Sequence, residues 1–178
     1  KKLADVAAGD SGIGGKMSFE RYVMGAVFKE ILEMANYRLD RMSGGRYELT
    51  HKTTAYRSNS AAGLDLEIYD NQTGAQRNVA GLSGGEEFYT SLSLALGLSD
   101  VAQQHAGGKL MDTLFIDEGF GTLDNDLLDK VLEVLNQLAE GNRLIGVISH
   151  VEKLSESIPQ KIRVQAGSAG STLTVEKA

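Results

Sequence analysis

Apolar residues recur every three or four positions along three segments of the chain, which is the spacing of one buried helical face. In residues 18–42 the recurring positions are Phe19, Tyr22, Val23, Ala26, Val27, Ile31, Met34, Ala35, Leu39 and Met42. The adjacent Gly44 and Gly45 are typical of a helix C-terminus. Residues 86–105 and 124–140 have the same period, so the sequence predicts three helices, the first of them long.

Shorter segments alternate between apolar and polar residues, as half-buried strands do. The clearest is 63–70, where Leu64, Leu66 and Ile68 alternate with Asp65, Glu67 and Tyr69. With segments 46–52 and 76–80, it predicts a small antiparallel sheet. Segments 161–165 and 172–176 flank a glycine-rich turn and predict an edge hairpin.

Two strongly apolar segments, 113–117 and 143–149, lie on either side of the third predicted helix. A strand, a helix and a second strand at this spacing are typical of a βαβ unit with a parallel sheet. The predicted fold class is therefore α/β, with a parallel βαβ core, a small antiparallel sheet and a long N-terminal helix.

The composition suits one domain or one lobe of a larger one. The chain has 178 residues, 42% of them hydrophobic, and a net charge of −6. Domains that bind nucleic acid are usually basic. Because this chain is acidic, it is not expected to form the main DNA-binding surface. The absence of cysteine fits a reducing cytosol. No apolar run approaches the length of a membrane span, and residues 1–5 lack the apolar stretch expected of a signal peptide.

The glycine-rich segment 9–16 invites comparison with a phosphate-binding P-loop. When the two are aligned on Gly15 and Lys16, Asp10 takes the place of the first glycine and Met17 that of the Mg²⁺-binding hydroxyl. We therefore predict a glycine hinge rather than a P-loop. The scattered basic residues near the small sheet, Arg46, Lys52, Arg57 and Arg77, are interpreted as solvated surface.

Ser83, Gly84, Gly85 and Glu86 open the second predicted helix. Ser83 and Glu86 have the spacing of a capping box, which is common at helix starts and by itself indicates no function. The glycines between them leave the helix N-terminus bare of side chains, so that a phosphate can approach its free N–H groups and the positive end of its dipole.

Polar residues follow both apolar strands. Asp117 ends the first strand, at the edge where open parallel sheets bind ligands, and its carboxylate suits Mg²⁺. Glu118 comes next and can polarise an attacking water. His150 follows the second strand, so parallel pairing would bring it to the same edge, where it can donate to a phosphate. Thr122 and Asp124 are cap residues for the third helix.

Each of these features alone has a structural interpretation, as a helix cap, a solvated strand end or an ordinary histidine. Their fixed order along the chain favours function, since a βαβ domain without a nucleotide role would require all four to coincide. In this order the motifs resemble those of the ABC-type ATPases over residues 80–165. The resemblance implies a signature motif at 82–86, a Walker B strand at 114–117, a D-loop at 121–124, Glu118 as catalytic base and His150 as switch histidine.

The residues at the start of the second predicted helix indicate which branch of that family the chain resembles. Transporter subunits usually have glutamine and a basic residue there, whereas Glu86 is followed by Glu87 and a long apolar helix separates the signature from the Walker B strand. That resembles the SMC-like branch. Segments 21–49, 63–70 and 115–121 look more narrowly like the large ATPase subunits of bacterial SbcCD-type exonucleases.

The resemblance implies the C-terminal lobe of an ATPase head at residues 17–178, after a coiled-coil stub and glycine linker at 1–16. The sites for ATP and Mg²⁺ would need an N-terminal lobe that carries the P-loop, so the chain alone is expected to be inactive. Ser83, Gly84, Gly85, Glu86 and Asp124 would contact nucleotide across a pair of heads. Asp117 would bind the metal.

The implied partners are that N-terminal lobe, a second head, a metallophosphoesterase nuclease subunit and, through the whole complex, double-stranded DNA. The implied location is the cytoplasm, near the nucleoid. Two alternatives stay open at this point: the nucleotide-binding subunit of a membrane transporter, and an SMC clamp that structures chromosomes without a nuclease.

Overall fold

The computed structural model describes residues 19–52, 65–107, 113–141, 143–168 and 170–177. The predicted glycine hinge and coiled-coil stub at 1–16 lie outside these residues, as does Leu64. The side chains of Phe19 and Tyr22 are likewise outside the described part. What is described contains one hydrophobic core, shared by the helices, the small sheet and the parallel strands.

The long N-terminal helix is α1 (Phe19–Ser43). Its inward face is buried from Ile31 onward, through Leu32, Ala35, Leu39 and Met42. The prediction that Val23 and Ala26 belong to this face is wrong, because both side chains are exposed and no described element covers that end of α1. Gly44 and Gly45 end the helix with φ of 63° and 77°, values that favour glycine.

Three antiparallel strands follow, in the order β1 (Tyr47–Lys52), β2 (Asp65–Asp70) and β3 (Ala75–Asn78). Leu49 pairs with Ile68, and both face the core. The third strand is shorter than predicted. Val79–Gly81 forms a 3-10 turn instead, because the Asn78 side chain accepts a hydrogen bond from the Ala80 N–H and ends the extended backbone.

Helix α2 (Gly84–His105) begins two residues before the predicted start and crosses α1 at very close range. A Cβ atom on Gly97 would lie 2.6 Å from the Ile31 carbonyl oxygen and 2.8 Å from the Ala35 nitrogen. These neighbours are backbone atoms that cannot rotate away. The close crossing of α1 and α2 therefore depends on glycine at position 97.

The predicted βαβ unit is confirmed as β4 (Thr113–Asp117), α3 (Asn125–Glu140) and β5 (Leu144–Ile148). The two strands are parallel, with Asp117 opposite Ile148 at their carboxyl ends. Helix α3 packs against β5 and α1, and its buried residues are Leu128, Val131, Leu132, Val134 and Leu135. This register places the residues that follow β4 and β5 at one edge of the sheet.

The chain ends in a short helix that was not predicted, α4 (Glu152–Ser157), and an antiparallel hairpin, β6 (Gln160–Gly167) and β7 (Gly170–Lys177). The hairpin is longer than predicted and, in the part that is described, forms a two-stranded sheet of its own. None of the described helices is long and apolar enough to span a membrane.

Two apolar faces remain open in the described residues. On the hairpin, the register brings together four exposed side chains on one face: Ile162, Val164, Leu173 and Val175. On the parallel strands, the face opposite α3 exposes Phe115, Leu144 and Ile148. Contiguous exposed apolar surface usually marks an interaction site.

Candidate functional site

The candidate site begins where β4 ends. Asp117 is its last residue, and the next backbone N–H, that of Glu118, donates to the Ile148 carbonyl oxygen at 2.9 Å. Glu118 has a φ of 58° and is the non-glycine residue with a positive φ in the described part of the chain. Such a conformation is costly for a residue with a side chain and is concentrated at functional sites.

The side chains at this edge meet as the parallel register predicts. His150 Nδ1 lies 3.0 Å from Glu118 Oε2. Both side chains are largely exposed, so the pair is open to a ligand. The other ring nitrogen of His150 faces the turn after β4, since a Cβ atom on Gly121 would lie 3.7 Å from Nε2. The predicted proximity of Glu118 and His150 is confirmed.

The start of α2 has the predicted capping box. The Ser83 hydroxyl accepts a hydrogen bond from the Glu86 N–H, and Glu86 Oε2 accepts one from the Ser83 N–H at 2.9 Å. Ser83 and Gly84 are exposed, so the free N–H groups of the first turn are accessible to an anion.

Segment 119–124 lies directly against this helix start. A Cβ atom on Gly85 would lie 3.1 Å from the Thr122 carbonyl oxygen, and one on Gly84 would lie 3.6 Å from Thr122 Cγ2. Glycine at position 85 thus allows the turn after β4 to approach the N-terminus of α2, whereas a Cβ atom at position 84 would make an ordinary contact. The Ser83 motif and the Glu118 edge are therefore joined through one short turn.

Sequence reasoning missed the packing that fixes this turn. Gly119 has a φ of 94°, and a Cβ atom there would lie 2.2 Å from the Phe88 ring. Phe88 also packs edge-on against the buried Phe120, with ring centroids 4.9 Å apart. A glycine directly after the candidate base was the available signal, but its neighbour from α2 cannot be read from spacing.

Asp124 is the N-cap of α3, as predicted, and its Oδ1 accepts a hydrogen bond from the Leu127 N–H at 2.8 Å. Thr122, the second predicted cap residue, instead donates from its hydroxyl to the Gly119 carbonyl oxygen at 2.8 Å. It closes the turn rather than capping the helix.

The oxygen donors at this edge are of the kind that Mg²⁺ binds. In the described residues no cluster of three or more His, Asp or Glu side chains converges on one point. Mg²⁺ needs no such cage, because it is usually held by one or two protein carboxylates together with substrate phosphates and water. Asp117, exposed at the strand end beside Glu118, supplies that kind of ligand.

A cluster of polar side chains on the small sheet contacts Glu86. The Tyr47 hydroxyl donates to Glu86 Oε1, and Arg77 donates to the Tyr47 hydroxyl oxygen at 2.8 Å. Arg46 pairs with Asp70 at 3.0 Å. The interpretation of Arg46 and Arg77 as solvated surface is wrong, because both are partly buried and form ion pairs.

These contacts shift the pKa values of Tyr47, Glu86 and Asp70. Burial, together with the hydrogen bond to Glu86, raises the pKa of Tyr47 to about 12. Partial burial pushes the pKa of Glu86 up, but the hydrogen bonds from Tyr47 and Ser83 outweigh it and leave the pKa below its ordinary value. The Arg46 guanidinium lowers the pKa of Asp70. Glu86 and Asp70 are therefore carboxylates at neutral pH, and Tyr47 is a neutral donor.

This fold is shared with a solved SMC ATPase, from work on ATP-driven dimerization and DNA-stimulated activation of that class. The TM-score is 0.67 at 16% identity, over 87% of this chain and 88% of the other. At this level of identity the likeness shows the fold alone, which is that of an SMC ATPase. The family described as SbcC/RAD50-like, Walker B motif, matches residues 51–137.

Curated relatives agree with that match. The SbcC subunit of the SbcCD nuclease from Vibrio cholerae is 48% identical over 96% of this chain. The protein of the same name from Treponema pallidum is 46% identical over 88%. The chain is therefore similar to the SbcC/RAD50-like family over residues 51–137, and to SbcC subunits over most of its own length. It spans 17% and 15% of the length of these two relatives, respectively.

Proposed function

We propose that this chain is the C-terminal part of the ATPase head of an SbcC-type subunit, in which ATP-driven pairing of two heads controls a partner nuclease. The observation that carries the proposal is the pair of Glu118 and His150 at the carboxyl edge of two parallel strands, 3.0 Å apart and beside the start of α2. The relatives named as a nuclease subunit favour this function over an SMC clamp or a transporter subunit.

An N-terminal lobe of the same protein is the first partner in this proposal. Thr113, Phe115 and Asp117 alternate onto one face of β4, which no described element covers, and Phe115 is 68% exposed. A lobe that buries Phe115 would come up against Asp117 and could bring a P-loop to it. Burial of such apolar side chains contributes roughly 1.5–3 kcal/mol each.

Asp117 would then hold Mg²⁺ directly or through water. The bound ATP and Mg²⁺ would supply a phosphoryl group whose charge is already partly neutralised. Glu118 would orient the attacking water and take its proton. His150 Nδ1 lies against Oε2 of that carboxylate, and with both ring nitrogens protonated the imidazole would donate from Nδ1 to Glu118 and from Nε2 to the phosphate. The left-handed backbone at Glu118 sets the carboxylate beside the imidazole.

Ser83 and the N–H groups of Gly84 and Gly85 would bind the phosphate held by the opposite head. The exposure of Ser83 and Gly84 and the positive helix end suit an anion that arrives from outside the chain. Glu86 fixes that helix start, and Asp124 would contact the other head with the carboxylate oxygen that the cap bond does not use. ATP would join the heads, and hydrolysis would release them.

The remaining partners are a metallophosphoesterase nuclease subunit and, through the whole complex, double-stranded DNA in the cytoplasm. The test is co-expression of this chain with the N-terminal lobe of its own protein and, separately, without it. We expect ATP-dependent pairing and ATP hydrolysis only when both lobes are present. Micromolar ATP binding to this chain alone, measured by calorimetry, would contradict the division of the site between two lobes.

Co-purification separates the nuclease function from a chromosome clamp. We expect the whole protein to retain a metallophosphoesterase subunit through gel filtration and to stimulate its exonuclease activity with ATP. A protein that pairs its heads with ATP but retains no such subunit would favour the SMC alternative.

A further inference from the structure

Glu86 uses both of its carboxylate oxygens as acceptors. Oε2 accepts the Ser83 N–H at 2.9 Å, and Oε1 accepts the Tyr47 hydroxyl. A glutamine offers one acceptor oxygen and an NH₂ group, so it would face one of these two donors with another donor. The two contacts therefore give a chemical reason for glutamate, rather than glutamine, at this position of the motif.

Tyr47 is itself held on three sides. Its side chain is 2% exposed, and its hydroxyl oxygen accepts a hydrogen bond from Arg77 at 2.8 Å. The Arg46 guanidinium lies 4.6 Å from the ring centroid, and the Tyr89 ring stacks at 6.3 Å. A buried hydroxyl that both donates and accepts has little freedom to move.

The same tyrosine is tied to the end of α1. Its N–H donates to the hydroxyl of Ser43, the last residue of α1, at 3.2 Å. A continuous series of hydrogen bonds thus runs from Ser43 through Tyr47 and Glu86 to the backbone of Ser83. It joins the end of the long helix to the first turn of α2.

Charge balance keeps this connection in place. Arg46 and Arg77 lie between two carboxylates, with Arg77 3.8 Å from Glu86 and 3.9 Å from the almost fully buried Asp70. Two cations and two anions cancel, so the group is stable as a unit. Loss of one member leaves the others partly buried without compensation.

We propose that Tyr47 is a positioning residue for the Ser83 motif, which it holds in register with the end of α1 through the second oxygen of Glu86. The proposal rests on the proposed function, because the motif is taken to bind phosphate across two heads. It predicts that loss of one hydroxyl group, remote from the nucleotide, weakens head pairing without weakening the first ATP contact.

The test compares Tyr47→Phe with the wild type in the full-length protein. ATP affinity of unpaired heads should be unchanged, because the P-loop lies in the other lobe. ATP-dependent pairing, measured by analytical ultracentrifugation, should weaken roughly tenfold, the effect of one hydrogen bond to a charged group. Tyr37→Phe is the matched control, since Tyr37 lies on α1 and is 66% exposed.

Both measurements are made well below the melting temperature of each variant, so that weaker pairing cannot result from unfolding. A lowered melting temperature with wild-type pairing would overturn the proposal. If the wild type itself does not pair with ATP, the proposed function fails first, which is a distinct result.

A second variant removes dependence on the folding of Tyr47→Phe. Glu86→Gln should weaken pairing to a similar extent, because one of the two donors loses its acceptor. In the double variant the Tyr47 donor is gone and the glutamine oxygen can serve Ser83 alone, so the combined loss should be smaller than the product of the single losses. Losses that multiply would show that the two residues act independently and would overturn the proposal.

Discussion

His150 Nδ1 lies 3.0 Å from Glu118 Oε2, at the shared carboxyl edge of two parallel strands. The contact does not depend on side chains alone. The backbone N–H of Glu118 is bonded to the carbonyl oxygen of Ile148, two residues before His150. Backbone register and side-chain pairing therefore hold the candidate base in one place, and the predictions for this edge follow from that arrangement.

Replacement of Glu118 by glutamine keeps the shape of the side chain but removes the base. In the full-length protein we expect ATP turnover to fall by about 10²–10⁴-fold, the usual contribution of a general base. ATP-driven head pairing should persist, because the phosphate contacts are intact. Glu140→Gln, at the exposed end of α3, is the control. Wild-type turnover by Glu118→Gln would rule out Glu118 as the base.

His150→Ala tests whether the imidazole acts through Glu118. Turnover should fall by about tenfold or more, as expected for a residue that positions a general base. Because both side chains serve one step, His150→Ala combined with Glu118→Gln should be little slower than Glu118→Gln alone. Steady-state turnover of the three variants measures this. If the two losses multiply, His150 acts independently of Glu118, through its phosphate contact, and the prediction that it works through the 3.0 Å contact is wrong.

Gly119→Ala tests the packing behind the site. The new methyl group would meet the Phe88 ring at 2.2 Å, and the φ of 94° is unfavourable for alanine. Overpacking should cost about 1–3 kcal/mol of unfolding free energy, and the left-handed backbone about 1–2 kcal/mol more. Gly121→Ala is the matched control, since its nearest neighbour would be 3.7 Å away. Equal stability of both variants, in chemical denaturation, would contradict the close contact of Gly119 with Phe88.

The Arg46–Asp70 pair predicts a particular dependence of stability on pH. Arg46 lowers the pKa of Asp70 below its ordinary value of 3.8, so the folded state binds this proton more weakly than the unfolded state does. The stabilisation is present above that value and is lost as pH falls through the lowered pKa. Asp70→Asn should therefore lower the melting temperature at pH 7, and the difference should shrink in more acidic solution.

Asp65→Asn, at the other end of β2, serves as the control for this measurement. We expect its effect on the melting temperature to be smaller than that of Asp70→Asn at pH 7, since Asp70 is the residue that the Arg46 guanidinium contacts. A difference between Asp70→Asn and the wild type that grows toward acidic pH would have the wrong sign and would exclude the lowered pKa.

Local patterns were sufficient for much of the fold. The helical period over α1, the paired Gly44 and Gly45 and the capping box of Ser83 and Glu86 all depend on neighbours within four residues, and all are confirmed. The βαβ order implied parallel pairing, and pairing placed His150 beside Glu118. These features follow from rules that act over short distances or through one topological step.

Other features depend on contacts between distant segments, and such contacts produce no periodic pattern in the sequence. Tyr47 reaches Glu86 across 39 positions of the chain. The Phe88 ring fits against Gly119 only because α2 crosses the turn after β4. Val23 follows the apolar period of α1, yet it is 45% exposed, since period alone does not tell where the neighbouring elements end. The six-residue helix α4 is too short to produce a recognisable period.

The central claim is that Ser83 serves the nucleotide of the opposite head while Glu118 serves that of its own. Full-length proteins with Ser83→Arg and others with Glu118→Gln, each inactive in a homodimer, can be co-expressed with different tags and purified as mixed pairs. If the motif acts across the pair, one site keeps both an intact Ser83 and an intact Glu118, and ATP turnover returns far above that of either homodimer. If Ser83 acts within its own head, both sites stay defective and the mixed pairs remain inactive, which would contradict the account.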